Sequence, residues 1–196
     1  MKKSFIIVLC GLLVYCGEKN EGKVNHQLEM HFKLDTLLID PGNEFLYLNA
    51  GLRVASLDEK KEYFYNFNPN DYTLEKIDLN KGILADKLPF EKEGPNGVGE
   101  MVFGINLITS NAIAFMGYIN VRLFDLEGGK TSEFAFNDRA FAGDTMAESE
   151  SFQLLSNQMV DLHTMIGLIR DNSEKTYALG ILNTDAQSLT KVPLPF

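Results

Sequence analysis

Asp161 and His163 come closest, by residue type and spacing, to a pair that could transfer a proton or hold a metal. Residues at i and i+2 of a strand share one face, so the carboxylate could orient the imidazole. A half-buried histidine bonded to its neighbour is the more common use of such a pair. We therefore keep Asp161 and His163 as candidate ligand-binding residues. No catalytic residue is assigned, because the sequence contains no Gly-x-Ser-x-Gly elbow and no Ser, His and Asp set that stands out.

An acidic stretch is the second candidate for chemistry, since several carboxylates together can hold a hard cation such as calcium. It contains Asp138, Asp144, Glu148 and Glu150, but their spacing fits no known calcium loop. We expect a mobile, solvated insertion between two repeats, and we predict no metal site and no cofactor.

The run Glu93 to Gly99, with the sequence EGPNGVG, has the glycine density of a phosphate-binding loop. It has neither the Gly-x-Gly-x-x-Gly order nor a Gly-Lys-Ser/Thr ending. We expect a turn between repeats. Asn96 is a further candidate ligand-binding residue, because connections on a rim often carry function.

Four aromatic residues, Tyr63, Phe64, Tyr65 and Phe67, alternate between the two sides of one strand. This spacing is typical of a buried core. A platform on which a carbohydrate stacks is the alternative interpretation.

The N-terminus predicts export and lipid attachment. Lys2 and Lys3 precede an apolar run from Phe5 to Tyr15, whose length falls within the roughly 7 to 15 residues of a secretory signal core. The boundary at Cys16 resembles a lipobox, so we predict a signal peptide over residues 1–15 and lipidation of Cys16. Two or three acyl chains on one residue hold a protein stably at a membrane. Because Tyr15 is larger than the usual residue before the cleavage point, an uncleaved anchor is the alternative.

Composition favours one globular domain on a tether. The chain has 18 basic and 27 acidic residues with no basic stripe, which argues against nucleic acid as a partner. Residues 16–27 are polar enough to form a flexible stalk. Residues 28–196 then form the domain, and the 45% hydrophobic content of the whole chain is sufficient for one core.

The sequence of the domain predicts β-strands, because apolar and polar residues alternate in short runs bounded by turn residues. Asn68 to Asp71 and Gly128-Gly129 predict hairpin turns. The predicted strands are Leu28 to Leu34, Glu44 to Asn49, Glu62 to Phe67, Thr73 to Leu79, Met101 to Ile108, Ile113 to Met116, Val121 to Leu126, Ile166 to Ile169 and Tyr177 to Asn183. Three further strands are predicted to close at Leu88 to Phe90, at Phe134 to Phe136 and at Val192 to Phe196.

Three segments repeat this pattern. Leu79, Leu126 and Leu182 close corresponding strands, at intervals near the roughly 40 to 50 residues of a four-stranded propeller blade. We predict an all-β fold, a partial β-propeller of about three to four antiparallel blades. The hairpins of an ordinary β-sandwich are the alternative.

One region resembles a known family in its sequence as well as in the spacing of its repeats. Leu38 to Asn49, Tyr65 to Asn68, Ile77 to Leu79 and Pro89 to Gly97 resemble family 4221 of the domains of unknown function. The resemblance implies an outer-membrane lipoprotein of the cell envelope with a TolB-like, six-bladed propeller, and it implies no established activity. Six blades need roughly 250 to 300 residues, so this chain of 196 residues looks truncated.

Three functions remain open from the sequence. The first is a noncatalytic envelope protein, held in the membrane by lipid on Cys16, that offers a rim or channel to a protein or glycan partner. The second is a propeller enzyme of the hydrolase or lactonase type with a metal in its central channel. The third is a truncated product without function, which would self-associate through open blade edges.

Overall fold

The computed structural model describes residues 33–136 and 141–195. The chain divides into two units, Met1–Asp35 and Thr36–Phe196, and every described strand belongs to the second unit. The predicted signal peptide, Cys16 and the stalk over residues 16–27 lie outside the described residues.

Three sheets follow one another along the chain, as the three sequence repeats predict. The first has the order β1-β2-β3-β4 and the second the order β5-β6-β7-β8, with every pair of neighbours antiparallel. Their strands are β1 Ala55–Leu57, β2 Tyr63–Asn68, β3 Thr73–Asp78, β4 Ile83–Pro89, β5 Gly104–Thr109, β6 Ala112–Met116, β7 Asn120–Asp125 and β8 Lys130–Ala135.

The third sheet is larger and has the order β10-β12-β13-β14-β9, with β11 also paired to β12. Its strands are β9 Ala142–Gly143, β10 Glu150–Phe152, β11 Gln158–Met159, β12 Thr164–Asp171, β13 Tyr177–Asn183 and β14 Ser188–Pro193. All of its pairs are antiparallel except the parallel pair β14 and β9. Helical structure in the described residues is confined to two short 3-10 turns, Leu52–Val54 and Leu154–Ser156.

Hairpin turns are held by side chains that bond their own backbone, as the turn residues predict. Asn68 Oδ1 accepts a hydrogen bond from Asn70 N at 3.0 Å in the β2–β3 turn. In the β7–β8 turn Gly128 has φ +90°, and Asp125 Oδ1 accepts from Gly129 N at 2.7 Å. These bonds fix where each strand reverses.

The second sheet is buried on both faces, because alternate residues of each strand enter different cores. Ile113 and Phe115 of β6 pack into the core shared with the first sheet, whereas Ala114 and Met116 pack into the core shared with the third. The sheets are therefore stacked face to face in chain order.

One edge of each sheet lies beside the same edge of the next sheet. β1 contacts β5, and β5 contacts β11. Leu107 N of β5 donates a hydrogen bond to Ser56 Oγ of β1 at 3.0 Å. Because each sheet turns the same edge toward a common centre, the arrangement is a partial propeller in which β1, β5 and the β10/β11 edge are innermost. The predicted all-β fold is confirmed.

The outer strands receive short parallel caps. Asp40 N donates to Gly82 O and Asp40 O accepts from Leu84 N, which places Asp40 beside β4. In the third sheet, Ala142 N donates to Gln187 O and Asp144 N to Leu189 O, which places β9 beside β14. In each case the capping segment comes just before the sheet it caps.

Some strand predictions are wrong. Residues 44–49 form no strand; they cross the first sheet, where Tyr47 N donates to Glu75 Oε1 at 3.1 Å and Tyr47 O accepts from Asn66 Nδ2 at 2.9 Å. Of the predicted strand Leu28 to Leu34, residues 28–32 lie outside the described residues, and Lys33 and Leu34 belong to no strand. The last strand, predicted to close at Val192 to Phe196, runs over Ser188–Pro193.

Candidate functional site

A cleft lies where the innermost strands converge, and we call it the axial cleft. Its volume is about 220 Å³, and it is open to solvent. Its polar side chains are Arg53 beside β1, Ser56 on β1, Asn106 on β5, and Ser156, Asn157 and Gln158 around β11.

Hydrogen bonds fix the wall of the cleft that the third sheet contributes. Ser156 Oγ donates to Gln153 O at 2.8 Å and accepts from Leu168 N at 2.9 Å. One hydroxyl thus joins the 3-10 turn to β12 and sets the position of the following residue, Asn157.

Two amides beside the cleft have hydrogen-bonding capacity that no described protein group uses. Asn106 Oδ1 and both polar atoms of Asn157 are enclosed and have no partner among the described residues. An unsatisfied buried group costs about 1–3 kcal/mol. A bound group that satisfied these amides would recover part of that cost.

The side chains that line the axial cleft are suited to hydrogen bonding. The described residues that line it include one cation, Arg53, and neither a carboxylate nor a histidine. The whole chain has a formal net charge of −9, whereas the described lining of the cleft has one positive and no negative side chain. It can bind polar groups, but it offers no side chain for general acid–base work near neutral pH.

Asp161 and His163 do not share a strand face as predicted, because both lie in the turn between β11 and β12. Asp161 Oδ1 accepts a hydrogen bond from His163 N at 2.7 Å, and this bond lowers the pKa of Asp161. The His163 imidazole faces another turn, where its Nδ1 lies 2.8 Å from Asp185 Oδ2, and both side chains are mostly exposed. The geometry joins two surface turns. Ligand binding by Asp161 and His163 stays a prediction.

Asn96 lies in the connection between the first and second sheets. Its Oδ1 accepts a hydrogen bond from Lys130 N at 3.2 Å, at the start of β8. The same connection is held by Val98 N donating to Glu91 O and by Arg122 Nη1 donating to Val98 O at 2.9 Å. Asn96 thus joins two segments of the protein, and a role for it in ligand binding stays a prediction.

The acidic stretch is mostly exposed where the structure describes it, and it is tied to the third sheet by two of its carboxylates. Glu150 forms an ion pair with Lys191 at 2.9 Å, and Asp144 Oδ2 accepts from Lys191 N at 2.6 Å. Met146, between them, is buried in the core. Asp138 lies outside the described residues. In the described residues no group of three or more His, Cys, Asp or Glu side chains is placed to hold a metal ion.

Sequence reasoning missed the residues of the axial cleft. β1 and β11 have only three and two residues, too few for an alternating pattern to show. A usable signal was the position of the repeat: β1, β5 and β11 each come directly before the segment that resembles its neighbours. Polar residues in that preceding segment therefore lie near the centre.

The fold and the cleft together define the class of protein, an all-β partial propeller with a polar site at the convergence of its innermost strands. The chain belongs to the family DUF4221, described as a domain of unknown function, whose family model matches residues 27–196.

Two solved structures can be compared with the chain. A member of the DUF4221 family from Bacteroides vulgatus ATCC 8482 is 14% identical and superposes with a TM-score of 0.53, over 73% of this chain and 43% of that one. The chain therefore spans less than half of that solved relative. Hydrazine synthase from Kuenenia stuttgartiensis is 8% identical with a TM-score of 0.38, over 71% of this chain and 36% of that one, and at that score the likeness carries no argument.

No curated protein matches the chain. Among the residues that the structure describes, there is no helix long and apolar enough to cross a membrane.

Proposed function

We propose that this protein is a noncatalytic binding lipoprotein of the cell envelope, and that its axial cleft holds a polar group of a protein or glycan partner. The lining of that cleft carries the proposal. Amide, hydroxyl and guanidinium groups converge there without a carboxylate or imidazole among the described lining residues. Such a surface suits recognition by hydrogen bonds.

The binding role is tested by capture from solubilised envelope membranes, using the purified chain as bait. Asn106→Ala combined with Asn157→Ala is expected to reduce recovery of the captured partner at least about tenfold, a loss expected for two or more hydrogen bonds at about 1 kcal/mol each. Asn111→Ala, an exposed asparagine in the β5–β6 turn, is the matched control. Recovery of nothing above background by the unmodified chain would contradict the proposal.

Lipid attachment at Cys16 is the second part of the proposal. It is supported by the charged start, the apolar run and the cysteine at its boundary. Metabolic labelling with radioactive palmitate is expected to label the unmodified protein and not Cys16→Ser. The variant is also expected to leave the membrane fraction, whereas Cys10→Ser stays labelled and bound. Equal labelling of the Cys16 variant would refute this anchor.

The third part is that these three sheets are a portion of a larger, TolB-like six-bladed ring. The solved family relative supports it, because the chain spans only 43% of its length. The third sheet also has an apolar second face: Ile166 pairs with Ile181 and Leu168 with Leu179, on the side opposite the buried Met165 and Ile169.

That second face predicts self-association of the purified fragment 17–196. Light scattering after gel filtration is expected to give a mass above that of one chain, and Leu168→Lys with Leu179→Lys is expected to shift it toward one chain. A compact monomer with a cooperative melt in the unmodified fragment would contradict the open ring.

A further inference from the structure

A pocket of about 410 Å³ lies between the first and second sheets, at the rim where β1 and β5 end. We call it the rim pocket. The residues that line it belong to the first two sheets and to their β1–β2 and β5–β6 turns. Its volume lies in the range of about 300–1,000 Å³ that small-molecule sites occupy.

Two tyrosines and a lysine form one wall of the rim pocket. Tyr63 and Tyr65 share a face of β2, and Lys76 of β3 lies directly opposite Tyr65. Lys76 Nζ lies 4.3 Å from the centroid of the Tyr63 ring and 5.8 Å from that of Tyr65. Attraction of the ammonium to the aromatic rings therefore holds the lysine head at the pocket wall.

Lys76 differs from the lysines that the structure pairs with acids. Lys81, Lys87, Lys130 and Lys191 each lie within 4.0 Å of a carboxylate oxygen. For Lys76 no described carboxylate lies that close, and its contacts in the described chain are the two rings. An ammonium carries three N–H donors, and those of Lys76 that do not face the rings remain available to a bound molecule.

The other walls provide apolar surface and further polar groups. Leu57, Leu107 and Ile108 give aliphatic surface. Further acceptors and donors at the mouth come from Glu59, Lys60, Glu62, Thr109 and Ser110. Asp58 also lines the pocket, but its Oδ1 already accepts hydrogen bonds from Glu62 N and Tyr63 N, both at 2.7 Å.

This combination selects a class of ligand. A purely apolar molecule would leave these charged groups unpaired. An anion would face the carboxylates of Asp58, Glu59 and Glu62, which outnumber the two lysine ammonium groups of the lining. A neutral saccharide presents C–H faces that pack against rings and aliphatic side chains. Its hydroxyl groups both accept from an ammonium and donate to a carboxylate.

We propose that the rim pocket binds a neutral saccharide of about disaccharide size, with Tyr63 as the stacking surface and Lys76 as the hydrogen-bond donor. This site is distinct from the axial cleft, and it rests on the proposed function only in naming a glycan as a partner class. Tyr63 and Tyr65 belong to the aromatic strand for which the sequence left two interpretations, a buried core or a platform on which a carbohydrate stacks. The structure buries Tyr65 and Phe67 but leaves Tyr63 partly open.

Isothermal titration of the purified chain tests the proposal with cellobiose, maltose, lactose and N,N′-diacetylchitobiose. Binding of at least one is expected, and glucuronate and a neutral tripeptide are expected to bind at least about tenfold more weakly. Tyr63→Ala and Lys76→Met should each weaken saccharide binding about tenfold or more. Tyr118→Ala, an exposed tyrosine outside the pocket, should not.

Three results would overturn the proposal: no saccharide binds, glucuronate or the peptide binds best, or the Tyr63 and Lys76 variants bind like the unmodified chain. Circular dichroism melts of both variants show whether they remain folded. Tyr63→Phe, which keeps the ring, separates loss of stacking from loss of fold. Capture of a protein partner by the axial cleft without any saccharide binding would leave the proposed function standing and remove this inference alone.

Discussion

The two junctions between the sheets are built from different side chains. Between the first and second sheets, Phe115 lies at the centre of three other rings, with centroid distances of 5.1 Å to Phe67, 5.0 Å to Phe90 and 5.3 Å to Phe124. Between the second and third sheets, the buried core is rich in methionine: Met116, Met146, Met159 and Met165. Aromatic rings impose edge-to-face geometry, whereas methionine adapts to irregular gaps.

The difference follows from what each junction has to join. The first two sheets have four strands each in the same order, so regular faces meet and rings can interlock. The third sheet has a split inner edge, β10 and β11, separated by a 3-10 turn. Its Phe152 packs over Gly167 and Gly180, which face each other across β12 and β13. We infer that regular sheet faces are joined by interlocking aromatic rings, and that irregular faces are joined by flexible side chains such as methionine.

The largest expected effect is at the centre of the aromatic junction. Phe115→Ala removes a fully buried ring and its three ring contacts, and should lower the free energy of unfolding by about 3–5 kcal/mol. Urea denaturation followed by circular dichroism measures the loss. Phe45→Ala, at an exposed phenylalanine, is the control and should change stability little.

Gly180, which faces Gly167 under Phe152, tests whether every part of the junction between the second and third sheets tolerates added volume. A Cβ at position 180 would lie 2.6 Å from Ile169 Cδ1 and 2.7 Å from Phe152 Cε1. Gly180→Ala should therefore cost about 1–3 kcal/mol, as overpacked sites do. Gly104→Ala, whose nearest contact would be 3.3 Å, should cost less in the same assay. Equal stability of the Gly180 variant and the unmodified protein would show that Phe152 moves freely.

A methionine substitution gives a smaller effect. Met165 is fully buried, but its replacement by leucine nearly conserves volume, so Met165→Leu should cost about 1 kcal/mol or less. Its midpoint in urea is compared with that of Phe115→Leu, which loses three ring contacts. If both leucine variants lose the same stability, the contrast between the junctions is wrong.

The smallest effect concerns a turn of the third sheet. Asp171 accepts hydrogen bonds from the Ser173 hydroxyl at 2.6 Å and from Ser173 N at 2.8 Å, and these bonds lower its pKa from 3.8 to about 2. A depressed folded-state pKa contributes stability above pH 4 that is lost as the pH falls from about 4 to 2. Asp171→Asn should therefore melt with less dependence on pH over that interval. An unchanged slope would exclude this turn as a contributor.

The sequence predicts the middle of each sheet well and its inner edge poorly. Tyr177–Asn183 is observed with the predicted bounds, because a long strand between two partners shows both its alternation and its turns. β1, β9 and β11 have two or three residues and depend on contacts made by the rest of the chain. Asn106 and Asn157 become neighbours of one cleft only after the sheets stack.

The wrong predictions have physical causes as well. Glu44 to Asn49 alternates like a strand, but the segment is held by the side chains of Asn66 and Glu75 in place of a strand ladder. Asp161 and His163 have strand spacing, yet an aspartate that bonds the backbone two residues on favours a turn. Local pattern alone does not distinguish these alternatives.

The parallel caps at Asp40 and β9 bear on how copies of this protein can meet. A bare outer strand is a template on which another chain can add a strand without limit, which is the route to fibres. At β4 and β14 part of that template is already occupied from within the same chain. Association through β4 and β14 is therefore disfavoured, and the apolar second face of the third sheet is left as a surface that a single partner can cover. We expect assemblies of this protein to be small and of fixed size.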